Sequence, residues 1–373
     1  IQGQGAGNSL TIGGTIPSTI AFGTVGNGAG GSSDNFLAAL DVSTNGGTLF
    51  VNTGSISTDG AQDAGVRLEG NISFKPAEGS TLTIDTDQGG INPSGDIELV
   101  GFVNSAFGMA GSLILDTRSA GSFDSGDLLT SAAFITLGGN HTARTSSQAA
   151  SGDITLGRTT VAGTTRLDAG DGTVLATNSA NDFTGPVHIT TSGVLSFRDA
   201  NTLHLGDIRL GAETATLRAG EILQADGSVF TQEPDAQLTQ LLADTGSISL
   251  PGEGNVLTGP LYLVCGGNGS IDIANAVPLV IAAITMPESQ AGTLSLDATG
   301  GISQTTVAGL AASGITTGTG AITLDAGAGA IALPSASNRF RGELSAANTG
   351  VSPIEIRSAL GLRLDTLSMT ATA

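Results

Sequence analysis

The sequence is poor in the residue types from which many enzyme sites and disulfide scaffolds are built. Of its 373 residues, one is cysteine, one is tyrosine and none is tryptophan, and aromatic residues make up only 3%. The single cysteine, Cys265, excludes an intrachain disulfide framework. It follows Leu261 and Leu263 at alternating positions, so we expect it to point inward as a small apolar residue. With so few aromatic side chains, the core must consist mainly of aliphatic residues in thin layers.

Positive charge is also scarce. The chain has 13 Lys and Arg residues against 33 Asp and Glu residues, a net charge of −20, and Lys75 is its single lysine. Nucleic acids and anionic membrane surfaces bind basic protein surfaces, so neither is expected as a partner. The acidic excess favours solubility and predicts, at most, weak calcium binding at peripheral turns. No cofactor and no dedicated metal site are expected.

Long apolar runs are absent as well. The most apolar stretch, residues 273–286, is short and is interrupted by Asn275 and Pro278, so no membrane-spanning segment is predicted. The chain begins Ile1-Gln2 without a signal peptide, which predicts a processed or excerpted region of a longer protein. Low charge (12%) together with 39% hydrophobic residues argues against disorder.

What the sequence does have is a series of short segments in which apolar and polar residues alternate. Each segment is closed by Gly, Asn, Asp or Ser, and β-branched residues are frequent within it. Alternation with period two between turn-forming residues is the signal of short β-strands. Typical segments are residues 9–12, 81–84, 96–99, 153–156, 207–210, 247–250 and 321–324.

An internal repeat indicates how these strands are arranged. Residues 167–185 align with residues 324–342 at a constant offset of 157, and residues 255–260 align with residues 181–186 as a more divergent copy. Repetition of this length is typical of stacked units that share one core. The repeated motif comprises Asn181, Phe183 and Gly185, then Asn255, Leu257 and Gly259, then Asn338, Phe340 and Gly342.

The fold class predicted from the repeat is all-β, a right-handed parallel β-helix of roughly 18 coils of about 20 residues. Residues 151–373 would form a regular section with three degenerate repeats at about 167–230, 244–310 and 321–373. Residues 1–150 would form an irregular section with loop insertions, and the two sections would make one continuous rod. In the motif, Asn and Gly are interpreted as turn residues, while Phe183 and Phe340 fill a corner of the core.

Three stretches are expected to leave the rod. Residues 26–34 and 117–131 are loop-like, and residues 234–244 are the only plausible helix in the sequence. Protrusions of this kind are where solenoid proteins often carry a binding function.

Several local motifs resemble a known family. They are residues 152–157 (GDITLG), 181–187 (NDFTGPV) and 203–208 (LHLGDI), with the pair 222–224 (ILQ) and 302–304 (ISQ). This cadence resembles the repeat regions of filamentous-haemagglutinin-like bacterial proteins of the two-partner-secretion or autotransporter type. The resemblance implies an exported, rod-like β-helix used for adhesion, biofilm or surface fibres. The secretion motif of that family is approached only at residues 92–95 (NPSG).

Candidate catalytic chemistry is sparse. The three histidines are His141, His188 and His204, and the latter two alternate with apolar neighbours, so all three are expected at the surface. A zinc or triad site would need further converging ligands, and none is visible in the sequence.

The strongest acidic cluster is formed by Asp168 and Asp171, but its repeat counterpart retains only Asp325. Asp168 and Asp325 are therefore interpreted as turn residues and Asp171 as a substitution. Residues 266–272 (GGNGSID) approach a calcium-binding nonapeptide, yet the motif occurs once and its Asp is displaced by one place. We predict no catalytic, cofactor-binding or metal-binding residues.

The function expected from these observations is that of an extracellular structural protein at the bacterial cell surface, not an enzyme. Its coils would stack end to end into a filament, or the chain would continue within a longer protein. The alternative is an adhesin that binds host or matrix ligands through its loop excursions. A more distant alternative is a polysaccharide-active β-helix enzyme.

Overall fold

The computed structural model describes residues 9–12, 20–22, 39–51, 55–58, 65–74, 81–86, 93–105, 111–119, 123–310 and 314–369. Within these residues the chain is all-β, and its parallel strands stack as a β-solenoid of about 13 turns. The predicted fold class is therefore confirmed. The chain divides into two compact units, residues 1–198 and residues 199–373, which we call unit 1 and unit 2 and describe separately. The prediction of one continuous rod stays a prediction.

The strands of unit 1 are β1 (Ser9–Ile12), β2 (Ile20–Phe22), β3 (Ala39–Val51), β4 (Ser55–Ser57), β5 (Val66–Phe74), β6 (Thr81–Asp85), β7 (Ile97–Ser105), β8 (Ser112–Asp116), β9 (Leu128–Leu137), β10 (His141–Arg144), β11 (Ile154–Val161), β12 (Thr165–Gly170), β13 (Val174–Ala176), β14 (Asp182–Phe183), β15 (Val187–Thr191) and β16 (Leu195–Arg198).

The strands of unit 2 are β17 (Thr202–Leu210), β18 (Ala215–Ala219), β19 (Glu221–Gln224), β20 (Phe230–Gln232), β21 (Thr239–Ala243), β22 (Ile248–Leu250), β23 (Leu261–Cys265), β24 (Ile271–Asn275), β25 (Leu279–Thr285), β26 (Leu294–Ala298), β27 (Ile302–Gln304), β28 (Ile315–Thr316), β29 (Ile322–Asp325), β30 (Ile331–Leu333), β31 (Glu343–Asn348), β32 (Ile354–Ile356) and β33 (Arg363–Met369).

Alternation along each strand decides which side chains enter the core. In β5, every second residue from Val66 to Phe74 is buried, and the residues between them are half-buried or exposed. Successive side chains of a strand point to opposite faces. The polar members of the alternating segments therefore lie outside, and the Val, Ile and Leu members lie inside.

Parallel register then aligns the inward residues of successive turns into columns. One column in unit 1 is buried throughout and consists of Leu40, Val66, Ile97, Leu128, Ile154, Val174 and Leu195. A column in unit 2 consists of Leu203, Ile222, Ile248, Ile271, Leu294, Ile322, Leu344 and Leu364. All of its members are buried except Leu364, which is 59% exposed. Each unit is therefore held by continuous aliphatic stacking.

The predicted coil number was too high because most turns take up more of the chain than the sequence suggested. The register pairs Leu113 with His141, His141 with Thr165 and Thr165 with Val187. Each of these steps along the chain exceeds the predicted coil length, and the first step is longer than the last. The extra residues lie in the connections between strands. About 13 turns result, not 18.

The predicted helix over residues 234–244 was also wrong. Residues 239–243 form β21, which pairs in parallel with β18 on one side and β23 on the other. Its residues alternate, with Thr239, Leu241 and Ala243 buried. Two neighbouring strands supply backbone partners at these positions, and this pairing overrides the helical tendency of a Gln- and Leu-rich segment. Of the other two predicted excursions, residues 26–34 lie outside the described residues, and residues 117–131 include part of β9.

Glycines recur at one place in successive turns. A Cβ atom added to any of them after the first in its column would lie within 3.0 Å of the backbone of the glycine one turn earlier. None of them has a positive φ, so close packing of the turns demands glycine here, and backbone conformation does not. We call these columns the glycine ladders. The ladder of unit 1 is Gly95, Gly126, Gly152, Gly172 and Gly193, and that of unit 2 is Gly246, Gly269, Gly292, Gly320 and Gly342.

Buried threonines hold the ladder of unit 1 from the side. The Thr86 hydroxyl donates to the Gly95 carbonyl oxygen at 2.7 Å, and the Thr117 hydroxyl donates to the Gly126 carbonyl oxygen at 2.6 Å. Both threonines are fully buried. A buried hydroxyl without such a bond would be unfavourable. Each threonine is therefore stabilised only when its turn is folded and the glycine carbonyl oxygen is in place.

Candidate functional site

The Asn of the repeated motif has the same hydrogen bonds in all three copies. In the first copy, the Asn181 side-chain oxygen accepts from the Thr159 backbone N–H at 2.9 Å. The Asn181 amide nitrogen donates to the Ala176 carbonyl oxygen at 3.1 Å. The first bond joins two turns and the second closes the local turn. Asn181 is fully buried, so both bonds are made away from water.

The second and third copies repeat this geometry. The Asn255 side-chain oxygen accepts from the Phe230 N–H at 2.9 Å, and that of Asn338 accepts from the Ile315 N–H at 2.8 Å. Their amide nitrogens donate at 3.2 Å to the carbonyl oxygen five residues earlier, on Leu250 and on Leu333. The motif is therefore a structural bracket between successive turns.

A glutamine completes the bracket in the second and third copies. Gln224 and Asn255 exchange two hydrogen bonds, of 2.7 and 3.1 Å, and Gln304 and Asn338 exchange two of 2.9 and 3.0 Å. In the sequence, the two glutamines end the recurring tripeptides at residues 222–224 and 302–304, and no prediction connected them with the asparagines. A signal was present, because each glutamine precedes its asparagine by a similar stretch of chain.

The other motif positions are also interior. Phe183, Leu257 and Phe340 are buried, and the Phe183 ring packs against that of Phe197 with centroids 4.9 Å apart. At the glycine position, a Cβ on Gly185 or Gly259 would meet the backbone of the preceding turn. The nine motif residues therefore position the turns and present no side chain to a ligand.

The histidines do not share one environment. His188 and His204 alternate with buried neighbours and are partly exposed, as predicted. His141 is completely buried, and the prediction that it lies at the surface was wrong. It points inward because it begins β10, where the inward positions are His141 and Ala143. Burial lowers the pKa of His141 from 6.5 to about 4.

His141 and its neighbour Thr165 form a polar interruption in an aliphatic column. Their register partners are Leu113 on one side and Val187 on the other. Within the described residues, the two ring nitrogens of His141 and the Thr165 hydroxyl have no hydrogen-bond partner. Unpaired buried polar atoms are unfavourable, so these two turns are a weak point of unit 1.

A solvent-open groove lies on the outer face of the same strands. Its volume is about 220 Å³, and its side chains come from three consecutive turns, β10, β12 and β15. The register places Thr142, Arg166 and His188 in one row and Arg144, Asp168 and Thr190 in the next. We call this feature the arginine groove.

The arginines in and beside the groove differ in how closely they approach a carboxylate. Asp116 is bound by Arg118 at 2.7 Å, whereas Arg144 lies farther from the same carboxylate, at 3.5 Å. The hydrogen bond with Asp116 raises the pKa of the Arg118 guanidinium. The Asp168 carboxylate accepts from the Ser146 hydroxyl at 3.1 Å. Within the described part of the chain, the guanidinium of Arg166 has no ion pair and no hydrogen bond.

The two aspartates that were interpreted as turn residues lie in strands. Asp168 is in β12 and its side chain points outward. Asp325 is the last residue of β29 and accepts from the Gly327 backbone N–H at 2.9 Å, so its interpretation as a turn residue is confirmed. Asp171 does lie in a turn, where it accepts from the Ser151 backbone N–H at 2.7 Å, and hydrogen bonding to Ser151 lowers its pKa. Asp168 therefore faces the groove, and Asp171 serves the local turn.

The single cysteine is buried, as predicted. Cys265 is 2% exposed, and burial raises the pKa of its thiol to about 11. Since the thiolate is the reactive form, Cys265 behaves as an inert core residue.

Several of the phenylalanines are exposed. Phe102 is 50% exposed and Phe134 is 43% exposed, and their rings stack with centroids 5.2 Å apart. They occupy paired positions on β7 and β9. Phe50, on β3, is 39% exposed. We call the Phe102–Phe134 stack the phenylalanine pair.

Two kinds of feature are absent from the described residues. These residues contain no group of three His, Cys, Asp or Glu side chains arranged to hold a metal ion. They also contain no helix long and apolar enough to cross a membrane.

The fold and the buried bracket define a β-solenoid repeat protein. A family model described as repeats of unknown function (DUF5649) matches residues 125–190, 192–264 and 269–347, which is more than half of the chain. The chain therefore belongs to this repeat family. Neither the curated proteins nor the solved structures contain a match.

Proposed function

We propose that this chain is an extracellular structural β-solenoid of the filamentous-haemagglutinin-like type, which forms or belongs to a bacterial surface fibre. The role is mechanical and does not include catalysis. The family match supports the repeat architecture, and the local motifs of residues 152–157 and 181–187 support the more specific affiliation.

The observation that carries the proposal is the outer edge of β33. This strand pairs with β31 on one side, and no strand among the described residues pairs with its other side. Leu364, Leu367 and Met369 are 59%, 56% and 53% exposed. An unpaired strand edge with apolar side chains is a template for another strand. A further solenoid turn, supplied by a second copy or by more of the same chain, would continue both the hydrogen bonds and the column that runs to Leu364.

The test is the mass of the purified chain as a function of concentration. We expect assemblies larger than 36.6 kDa that grow with concentration, measured by light scattering and seen as fibres by electron microscopy. Replacing Leu364 and Leu367 with lysine should keep the chain at the monomer mass, because charge on an edge strand opposes pairing.

The matched control replaces Phe102 and Phe134 with lysine, which places the same two charges at exposed apolar positions on a sheet face. It should assemble as the unmodified chain does. A chain that stays monodisperse at the monomer mass at high concentration contradicts end-to-end stacking, as does equal assembly of the Leu364 and Leu367 variant.

A second candidate function is adhesion, and the phenylalanine pair favours it. Adjacent exposed apolar side chains on a soluble protein mark interaction surfaces. The adhesive surface would then lie on a sheet face, not on the loop excursions first considered.

Retention on a matrix-coated surface distinguishes this candidate. Replacing Phe102 and Phe134 together with serine should abolish retention and leave the circular dichroism unchanged. Val194→Ser, at an apolar residue outside the phenylalanine pair that is 40% exposed, should retain the full signal. Undiminished retention of the double variant would exclude the phenylalanine pair as the adhesive surface.

A further inference from the structure

The arginine groove has the features of a small-ligand site. Parallel pairing places neighbouring strands about 4.8 Å apart, and alternate residues of one strand about 6.6 Å apart. Arg144 and Arg166 occupy diagonal positions on adjacent turns, so their Cα atoms lie about 8 Å apart by that geometry. Two long, flexible side chains at this separation can bring both guanidinium groups to one anionic group.

The groove also has free donor capacity. Each guanidinium carries five N–H donors. Arg166 uses none of them on another described side chain, and Arg144 shares Asp116 at 3.5 Å with the closer Arg118. The chain as a whole has a net charge of −20. Two arginines that are not fully neutralised therefore make this face locally more positive than the rest of the chain. Planar guanidinium groups match the two oxygens of a carboxylate.

The remaining lining residues are polar and carry both donors and acceptors. Thr142 and Thr190 contribute hydroxyl groups, Asp168 contributes a carboxylate and His188 contributes an imidazole. This combination suits a ligand that carries hydroxyl groups as well as a negative charge. The volume of about 220 Å³ is below the range of about 300–1,000 Å³ found for drug-sized ligands. It therefore favours a ligand the size of one sugar ring.

We propose that the arginine groove binds a sugar acid, with Arg144 and Arg166 on its carboxylate and the threonines and Asp168 on its hydroxyl groups. His188 lines the groove from β15, the third of its three turns. The site is independent of the edge of β33, so it can be present whether or not the chain forms fibres. It also differs from the phenylalanine pair, which lies on other strands.

Binding is tested by nuclear magnetic resonance titration of the full chain with galacturonate. For a ligand of this size we expect a Kd of about 1 mM, with shifts of the backbone amides of β10, β12 and β15. Galactose has the same ring with a neutral hydroxymethyl group in place of the carboxylate, and it should produce no comparable shifts.

Variants locate the site. Arg166→Gln should raise the Kd by about tenfold or more, because it removes a charge-assisted pair, and Arg144→Gln should do the same. The matched control is Arg209→Gln, at an exposed arginine on β17 in unit 2. It should leave the Kd unchanged. Circular dichroism of all three variants should equal that of the unmodified chain.

A trimer of galacturonate distinguishes two sources of the ligand, a polysaccharide that contains sugar acids and a free sugar acid. A Kd at least about tenfold below that of the monomer would identify a polysaccharide as the ligand, and equal values would identify a free sugar acid. Either result supports the proposal. It is overturned if neither compound causes shifts in β10, β12 and β15, if galactose binds equally well, or if Arg209→Gln weakens binding as much as Arg166→Gln does.

Discussion

Replacing Phe183 with alanine is expected to lower the free energy of unfolding by about 3–5 kcal/mol. The Phe183 side chain is completely buried, and its backbone lies in register with Val161 of the preceding turn. The change removes a large apolar volume that the surrounding turns cannot refill. It also removes the contact with Phe197 at 4.9 Å, and such aromatic pairs contribute about 0.5–1.5 kcal/mol beyond their buried area.

Hydrogen exchange is the appropriate measurement beside chemical denaturation. Turns of a solenoid contact mainly their neighbours, so unfolding need not be a single transition. We expect loss of amide protection first at Thr159 and Val161, next to the motif. Phe102→Ala is the matched control, since this ring is 50% exposed, and it should cost less than about 1 kcal/mol. Equal effects of the two substitutions would contradict the role assigned to Phe183.

Acidification from pH 7 to about 4 is expected to remove roughly 3 kcal/mol of stability through His141 alone. Burial lowers the pKa of this imidazole from 6.5 to about 4. As the pH falls below 6.5, His141 becomes protonated in the unfolded chain, whereas in the folded chain it stays neutral until about pH 4. The stabilising effect is therefore complete above pH 6.5 and is lost progressively down to about pH 4.

The upper part of this pH range isolates the histidine. Hydrogen bonding to Arg67 lowers the pKa of Glu69, and hydrogen bonding to Arg339 lowers that of Glu288. Stability from these two carboxylates is lost only as the pH falls below their ordinary value of 4.5. Urea denaturation between pH 7 and pH 5 thus reports on histidine protonation apart from these two carboxylates.

Substitution at His141 provides the decisive comparison. His141→Leu should flatten the dependence of unfolding free energy on pH, and it should not destabilise the chain at pH 7, because the column already contains Leu113 and an unpaired polar group is removed. His204→Gln, at a partly exposed position, should retain the dependence. If the unfolding free energy of His141→Leu depends on pH as strongly as that of the unmodified chain, protonation of another group causes the loss of stability.

Strand positions and fold class were predictable because alternation and repetition are properties of the sequence itself. The inward position of Cys265 followed from Leu261 and Leu263 in the same way. The alternation in β10 was harder to interpret, because threonine and alanine next to His141 do not mark an inside face. A histidine at such a place is expected outside unless the register partners, here Leu113 and Thr165, are known.

Contacts between side chains of successive turns could not be predicted from the sequence, for a different reason. Each depends on the length of the turn, which is not constant between Leu113 and Val187. Without that length, Gln304 cannot be assigned to Asn338, nor Arg144 placed beside Arg166. The segment at residues 239–243 shows the same limit, since its neighbours β18 and β23 decide its conformation.

The glycine ladders bear on how such chains acquire new length. Each turn of a ladder presents a glycine backbone to the next turn at the same place. A copied segment with a glycine there would fit between two such turns without changing either one. Tandem duplication of DNA would then lengthen the protein in whole units at little structural cost. The three matched segments follow one another almost without a gap, which is the arrangement that such a history would leave behind.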